Sequence, residues 1–192
     1  EYLLPKDEQD LLKKLSDPNI SYIEKDKIIK LLRLNNFTEE ITLLAYCLMP
    51  NHFHLLVKQK NASSIDKFMN SLATRYTMYF NRKYKRVGSL YQSVYKDVIV
   101  ETDEQLLYLT SYIHKQALSL SQGKALQRLY QQPSSYLEYL GLRKTEWIKP
   151  EEILTFFSKT NPLLSYESFV KLREDIGIIQ NKILEGIKNE QK

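Results

Sequence analysis

ITLLAYCLMPNHFHLLVKQ, residues 41–59, decides how the rest of the chain is read. ITLLAYC (41–47) is a nearly continuous apolar run, Met49, Pro50 and Asn51 supply turn chemistry, and HFHLLVKQ (52–59) resumes as a strand, so the stretch predicts a β-hairpin. Alternate residues of a strand share a face. His52 and His54 therefore sit side by side, with Phe53, Leu55 and Val57 on the opposite face. The chain has only three histidines, and two of them aimed at one spot look like half of a metal site, although an imidazole pair on a strand is as often structural.

Working outward, two helical stretches near 7–16 and 24–34 precede the hairpin. After it, Ser63 with Asp66 reads as a capping box. Ile65, Phe68, Met69, Leu72, Tyr76, Tyr79 and Phe80 then recur at helical spacing to about residue 82. VYKDVIV (94–100) reads as a third strand. Thr102 with Gln105 caps a further helix whose Leu106, Leu109, Ile113 and Ala117 face the core. The order α, β, β, α, β, α predicts an α+β fold, a ferredoxin-like or RRM-like antiparallel sheet with helices on one face. A soft boundary near 143 divides a main domain, 1–143, from a helical C-terminal extension, 144–192.

The 192 residues are 43% hydrophobic with only 5 Gly and 6 Pro, enough to bury a good core. No apolar run approaches the roughly 20 residues of a membrane span, and the start EYLLPKDEQDLL lacks signal-peptide character. The lone Cys47 cannot form an intrachain disulfide, so the expected location is cytoplasmic, in association with the nucleoid. The net charge is +5, but Lys58 to Lys96 holds nine basic residues against the single acid Asp66. That surplus of eight leaves the rest of the chain at −3. Aromatics interleave with these charges in RYTMYFNRKYKRVGSLYQSVYK, a combination suited to single-stranded nucleic acid because cations neutralise phosphates and rings stack on bases. The plainer reading places Tyr76, Tyr79 and Phe80 in a helical core stripe.

On the helix expected at 102–120, Tyr112 and Gln116 lie four apart and hence on one face. If that face covers His52 and His54, two imidazoles, a carboxamide and a phenol surround one point that a divalent cation would occupy. YCLMPNHFHLLVKQ, GSLYQSVYKDVIV, LLYLTSYIHKQ and PSSYLEYLG, in that order, resemble the single-tyrosine HUH transposases, the IS200-like superfamily, and especially its REP-associated members. The resemblance covers about Leu43 to Gly141. It implies that His52 and His54 bind Mg²⁺ or Mn²⁺ and that Tyr112 is the nucleophile.

Where REP-associated members continue Tyr-Ile-His-x-Asn-Pro, this chain has Tyr112-Ile113-His114-Lys115-Gln116-Ala117. That glutamine resembles the insertion-sequence branch, which implies Gln116 as the third ligand. The family's first strand, a Tyr/His strand before an Asn-Arg-Gly turn, has no counterpart here, so the sheet is expected one strand short. The implied partner is single-stranded DNA with hairpin-forming repeats, cleaved and rejoined through a 5′-phosphotyrosine. The two branches leave a homodimer or a monomer open. Candidate backbone contacts are Arg75, Arg82, Lys83, Lys85, Arg86, Lys96 and Lys115.

Plainer roles stand beside these. The imidazole pair suits Zn²⁺ as well, and Cys47 could join such a site, although no fourth ligand of the right type is evident. Tyr112 is one of 14 tyrosines. His114 projects about 200° from Tyr112 around the helix and so points to a neighbouring element or DNA rather than the metal. A non-catalytic single-stranded nucleic-acid binder on the same fold is the rival reading, and a partner-binding scaffold centred on the C-terminal segment is the third.

Overall fold

The computed structural model describes residues 2–121 and 133–172. Its elements in order are α1 (Glu8–Leu15), α2 (Tyr22–Leu32), β1 (Ile41–Leu48), β2 (Phe53–Gln59), α3 (Ser64–Tyr84), α4 (Asp103–Ser121), α5 (Tyr136–Tyr139), α6 (Glu151–Leu154), a 3₁₀ turn (Pro162–Leu164) and α7 (Tyr166–Leu172). This is an α+β protein built on the expected hairpin, with His54 in its second arm and His52 in the turn just before it. The chain forms two units that interleave in sequence. One holds residues up to 42 together with 58–90, and the other holds 43–57 together with the residues from 91 onward.

In the first unit, Asp7 caps α1 by accepting from the Asp10 amide at 2.9 Å, and Ser21 with Glu24 forms a reciprocal capping box on α2. The core is aromatic. Phe37 meets Phe68 edge-on at 5.5 Å between centroids, and Tyr2 packs against both rings. The expected capping box of Ser63 with Asp66 does not form, because Ser63 (φ −100°, ψ 3°) lacks the extended backbone of an N-cap. Gln59, at the end of β2, accepts from the Ile65 amide at 3.1 Å instead, and Glu40 accepts from the Ser64 hydroxyl at 2.7 Å. These two bonds hold the start of α3 to the open end of the hairpin. The helix stops where Lys85 turns left-handed (φ 52°) and the Arg86 amide reaches back to the Asn81 carbonyl at 2.9 Å.

In the second unit, β1 is paired on both edges, with β2 on one side and with residues that come 85 or more positions later on the other. The Leu48 amide donates to the Pro133 carbonyl (2.9 Å), the Ser135 amide to Tyr46 (3.0 Å), and the Lys149 amide to Leu43 (3.0 Å). The expected third strand, 94–100, is not a strand. Its segment is irregular, with Val94 and Ile99 each 78% exposed, because side chains with β-forming character need a packed face, which these lack. Among the described residues the sheet has two strands.

Thr102 and Gln105 cap α4 as expected, the Gln105 amide donating to the Thr102 hydroxyl (3.2 Å) and the Glu101 amide to the Gln105 side chain (2.8 Å). Ile113 and Ala117 enter a core with Leu44, Ala45, Cys47, Leu56, Tyr136, Tyr139, Ile153, Tyr166 and Val170, so α5, α6 and α7 all contribute to it. Leu106 packs half-buried at its margin, and Leu109 is half-buried. The rest of the expected C-terminal helical segment, 173–192, lies outside the described residues.

His114 is fully buried at the junction of these elements. One ring nitrogen, Nδ1, lies 2.6 Å from the Tyr166 hydroxyl and the other, Nε2, 2.8 Å from the Ser135 hydroxyl, which also accepts from the Tyr46 amide at 2.8 Å. A neighbouring element, rather than a metal, is therefore its partner. Removing Ser135 Oγ leaves a buried ring nitrogen and a strand amide without a partner. Ser135→Ala should cost about 1–3 kcal/mol in urea unfolding.

Burial pushes the His114 pKa down from 6.5 to about 3. Between those values the unfolded chain takes up a proton that the folded chain refuses, so stability rises with pH through this window. Thermal unfolding should show full stability from this group above pH 6.5 and a progressive loss on acidification towards pH 3. A curve that is flat across this range would contradict the assignment.

Candidate functional site

Strand alternation in β2 puts His54 and Leu56 on one face. Leu56 is buried in the same core cluster as Ile113 and Ala117 of α4, and the His54 ring meets that of Tyr112, so that face is the one covered by the helix. Phe53, on the opposite face, meets Tyr91 edge-on at 6.2 Å. His52 precedes the strand and sits at the end of a turn closed by the Met49 amide donating to the His52 carbonyl at 2.8 Å. The His52 Nδ1–H donates to Asn51 Oδ1 at 2.7 Å, which fixes the tautomer and leaves Nε2 with its lone pair outward. That lone pair lies 3.2 Å from Nε2 of His54.

The His54 ring contacts the Tyr112 ring edge-on, centroids 5.6 Å apart, and Tyr112 in turn stacks on Tyr108 at 6.4 Å with the planes 14° apart. His52, His54 and Tyr112 are thus brought to one place. Gln116 follows one helical turn after Tyr112 on the same face of α4 and is half-buried. Burial, and secondarily the charge of His52, push the His54 pKa below the ordinary 6.5. Its imidazole is accordingly neutral at pH 7 and able to donate a lone pair to a cation.

The two ring nitrogens fit a divalent ion. With metal–nitrogen bonds of about 2.1 Å, a 3.2 Å separation corresponds to a ligand–metal–ligand angle of about 100°, between tetrahedral and octahedral. No group of three or more His, Cys, Asp or Glu that could hold a metal occurs among the described residues. Among those residues a further protein ligand would be of another type, and Gln116, with its amide oxygen, is the candidate on the covering helix. Two imidazoles and an amide oxygen make an open set, short of the four ligands of a closed zinc site. The Cys47 alternative fails, because that thiol is buried in the core 3.8 Å from Met49 Sδ.

A family model described as Transposase IS200 like matches residues 18–116. The chain belongs to the IS200-like transposase family. The match runs from just before α2 to Gln116 and spans both histidines and Tyr112. An IS200-like transposase is a DNA-processing enzyme, so DNA is its partner. No curated protein and no solved structure matches the chain. Among the described residues, no helix is long and apolar enough to cross a membrane.

Of the candidate DNA contacts in this transposase, Arg75, Arg82, Lys83, Lys85 and Arg86 are exposed on α3 and the turn that follows it, in the first unit. Lys96 is exposed in the irregular 94–100 segment and Lys115 is half-buried on α4, both in the second unit. The expected core stripe on α3 ends early. Phe68 and Met69 are buried, whereas Tyr76 and Tyr79 are 46% and 57% exposed. Sequence reasoning missed Asn51 and Tyr108 as supports of the site. Asn51 was readable as the residue next to His52, and Tyr108 as the residue one turn before Tyr112.

The His54 titration should depend on His52. In protein stripped of divalent ions, the His54 ring resonances should titrate below 6.5, and His52→Ala should move the midpoint up by removing the neighbouring charge. An unchanged His54 midpoint in that variant would show that the two rings do not interact.

Proposed function

We propose that this transposase nicks and rejoins single-stranded DNA by transesterification through Tyr112, with His52, His54 and Gln116 holding Mg²⁺ or Mn²⁺. The observation that carries the reading is the convergence of two imidazole Nε2 atoms, 3.2 Å apart, beside the Tyr112 ring. A bound divalent ion would supply charge neutralisation and positioning at a non-bridging oxygen of the scissile phosphate. His52 and His54 offer lone pairs from one face of the hairpin, Asn51 keeps the His52 ring in the ligating tautomer, and Gln116 offers an amide oxygen from the covering helix.

Tyr112 Oη attacks phosphorus and gives up its proton, and the bond from phosphorus to the 3′ oxygen breaks. The products are a 5′-phosphotyrosine and a strand with a free 3′ hydroxyl. A phenol is a far weaker nucleophile than a phenolate, so removal of that proton is part of the catalytic task. Tyr108, stacked on Tyr112, restricts where the attacking ring can swing. Because one phosphodiester replaces another, the reverse reaction joins strands with no external energy source. The cation-rich α3 suits a polyanionic strand, and hairpin-bearing repeat ends are the substrates that the sequence resemblance implies.

The test is incubation with single-stranded hairpin oligonucleotides labelled at either end, with Mn²⁺ or Mg²⁺, followed by a denaturing protein gel. Label lying 3′ of the cut should stay with the protein, and label lying 5′ of it should not. The adduct should disappear on chelation, and Tyr112→Phe should abolish it while DNA binding persists. His52→Ala and His54→Ala should each lower adduct yield by at least about tenfold at limiting Mn²⁺. Binding without any adduct across a broad oligonucleotide pool would favour the non-catalytic binder.

A further inference from the structure

α3 changes character along its length. Its first turns bury Phe68 and Met69, but its second half presents Tyr76, Met78, Tyr79 and Tyr84 at 46%, 66%, 57% and 55% exposure. Tyr76, Tyr79, Phe80 and Tyr84 follow i, i+3, i+4 and i+8 spacing and form a continuous stripe. The Tyr76 ring lies 6.2 Å from Tyr79 and 6.1 Å from Phe80, and Phe80 lies 4.5 Å from Tyr84. Cations are set into this stripe. Lys83 Nζ lies 5.7 Å from the Tyr79 ring centroid and 5.4 Å from that of Tyr84, and the Arg86 guanidinium lies 5.7 Å from Phe80. The left-handed turn at Lys85, with Asn81 Nδ2 donating to the Gly88 carbonyl at 2.8 Å, folds the basic exit segment back onto the helix end.

We propose that the second half of α3 is a stacking platform for unpaired bases of single-stranded DNA. This deepens the nicking reading above and rests on it for the choice of DNA as the occupant. Exposing so much aromatic surface on a helix is unfavourable unless a partner covers it. The charge around it selects that partner, because from Lys67 to Leu90 the sequence has six basic residues and no acid. A second copy of the same face would bring like charges together, so self-association through it is disfavoured. A duplex hides its base faces. A single strand offers both a phosphate for each cation and a flat face for each ring. At 1.5 Å per residue, the stripe from Tyr76 to Tyr84 is about 12 Å long, room for on the order of three stacked nucleotides.

Fluorescence anisotropy on the full chain tests the proposal with three probes: a labelled homothymidine strand, an abasic strand of equal length, and a duplex. The wild-type protein should bind homothymidine at least about tenfold more tightly than the abasic strand. Tyr79→Ala combined with Tyr84→Ala should remove most of that preference and leave abasic binding and its salt dependence unchanged. The Tyr79→Phe and Tyr84→Phe pair should keep it. Equal wild-type affinity for homothymidine and abasic strands, or tighter binding of the duplex, overturns the platform without reference to any variant. An equal loss on both strands in the alanine pair overturns it too, as does a loss in the phenylalanine pair.

The adduct assay separates this result from the nicking reading. Base-dependent binding without any adduct removes the reaction and keeps the platform, and adduct formation with base-independent binding does the reverse.

Discussion

A two-stranded hairpin has little stability of its own, because half of the backbone groups of each strand face away from the partner. The second edge of β1 is the constraint on which the second unit depends. It is satisfied by Pro133, Ser135 and Lys149 through backbone bonds, and by the Ser135 hydroxyl, which accepts from Tyr46 while contacting His114. One side chain thus joins the strand edge to α4. Tyr166 completes the junction at the other ring nitrogen, and Tyr139 donates to the Leu44 carbonyl at 2.9 Å. The buried tyrosines are held in their neutral forms, with the Tyr136 pKa pushed up to about 12 by burial and that of Tyr166 well above its ordinary value.

The consequence reaches the candidate site through geometry. Ile113 and His114 anchor the buried side of α4, so the helix cannot rotate without breaking the His114 bonds. The neighbouring Tyr112 is then presented beside His54. The hairpin contributes the other half through its period of two, which places Leu56 in the core and His54 at the edge of that core. The ring is half-buried as a result, and the same burial that packs it keeps it neutral. Stability and ligand chemistry therefore come from one placement.

α3 follows a different logic. Its N-terminal half is fixed by Gln59, Glu40 and the Phe37–Phe68 contact, all of them in the first unit. Its C-terminal half carries aromatic rings and cations, with Tyr76, Tyr79 and Tyr84 each about half exposed. A helix that is amphipathic in sequence is here amphipathic in two different senses, first against protein and then toward solvent.

The sequence by itself determined the elements that depend on local rules. The hairpin at 41–59, the Thr102–Gln105 cap and the shared face of Tyr112 and Gln116 follow from period, turn chemistry and capping, which act over a few residues. His114 was legible in direction, since the helical step alone turns it away from Tyr112. Only the tertiary structure decided what depended on distant partners. The apolar alternation in VYKDVIV reads as a strand but forms none among the described residues, while Pro133, Ser135 and Lys149 bond to the edge of β1. Ser63 looked like a cap until Gln59 took its place. Tyr76 and Tyr79 fit a core stripe by spacing, yet burial requires a surface opposite them, and no spacing rule reports whether one is there. The separation of two imidazole nitrogens, likewise, is set by the turn, the Asn51 bond and the packing of a helix more than fifty residues away.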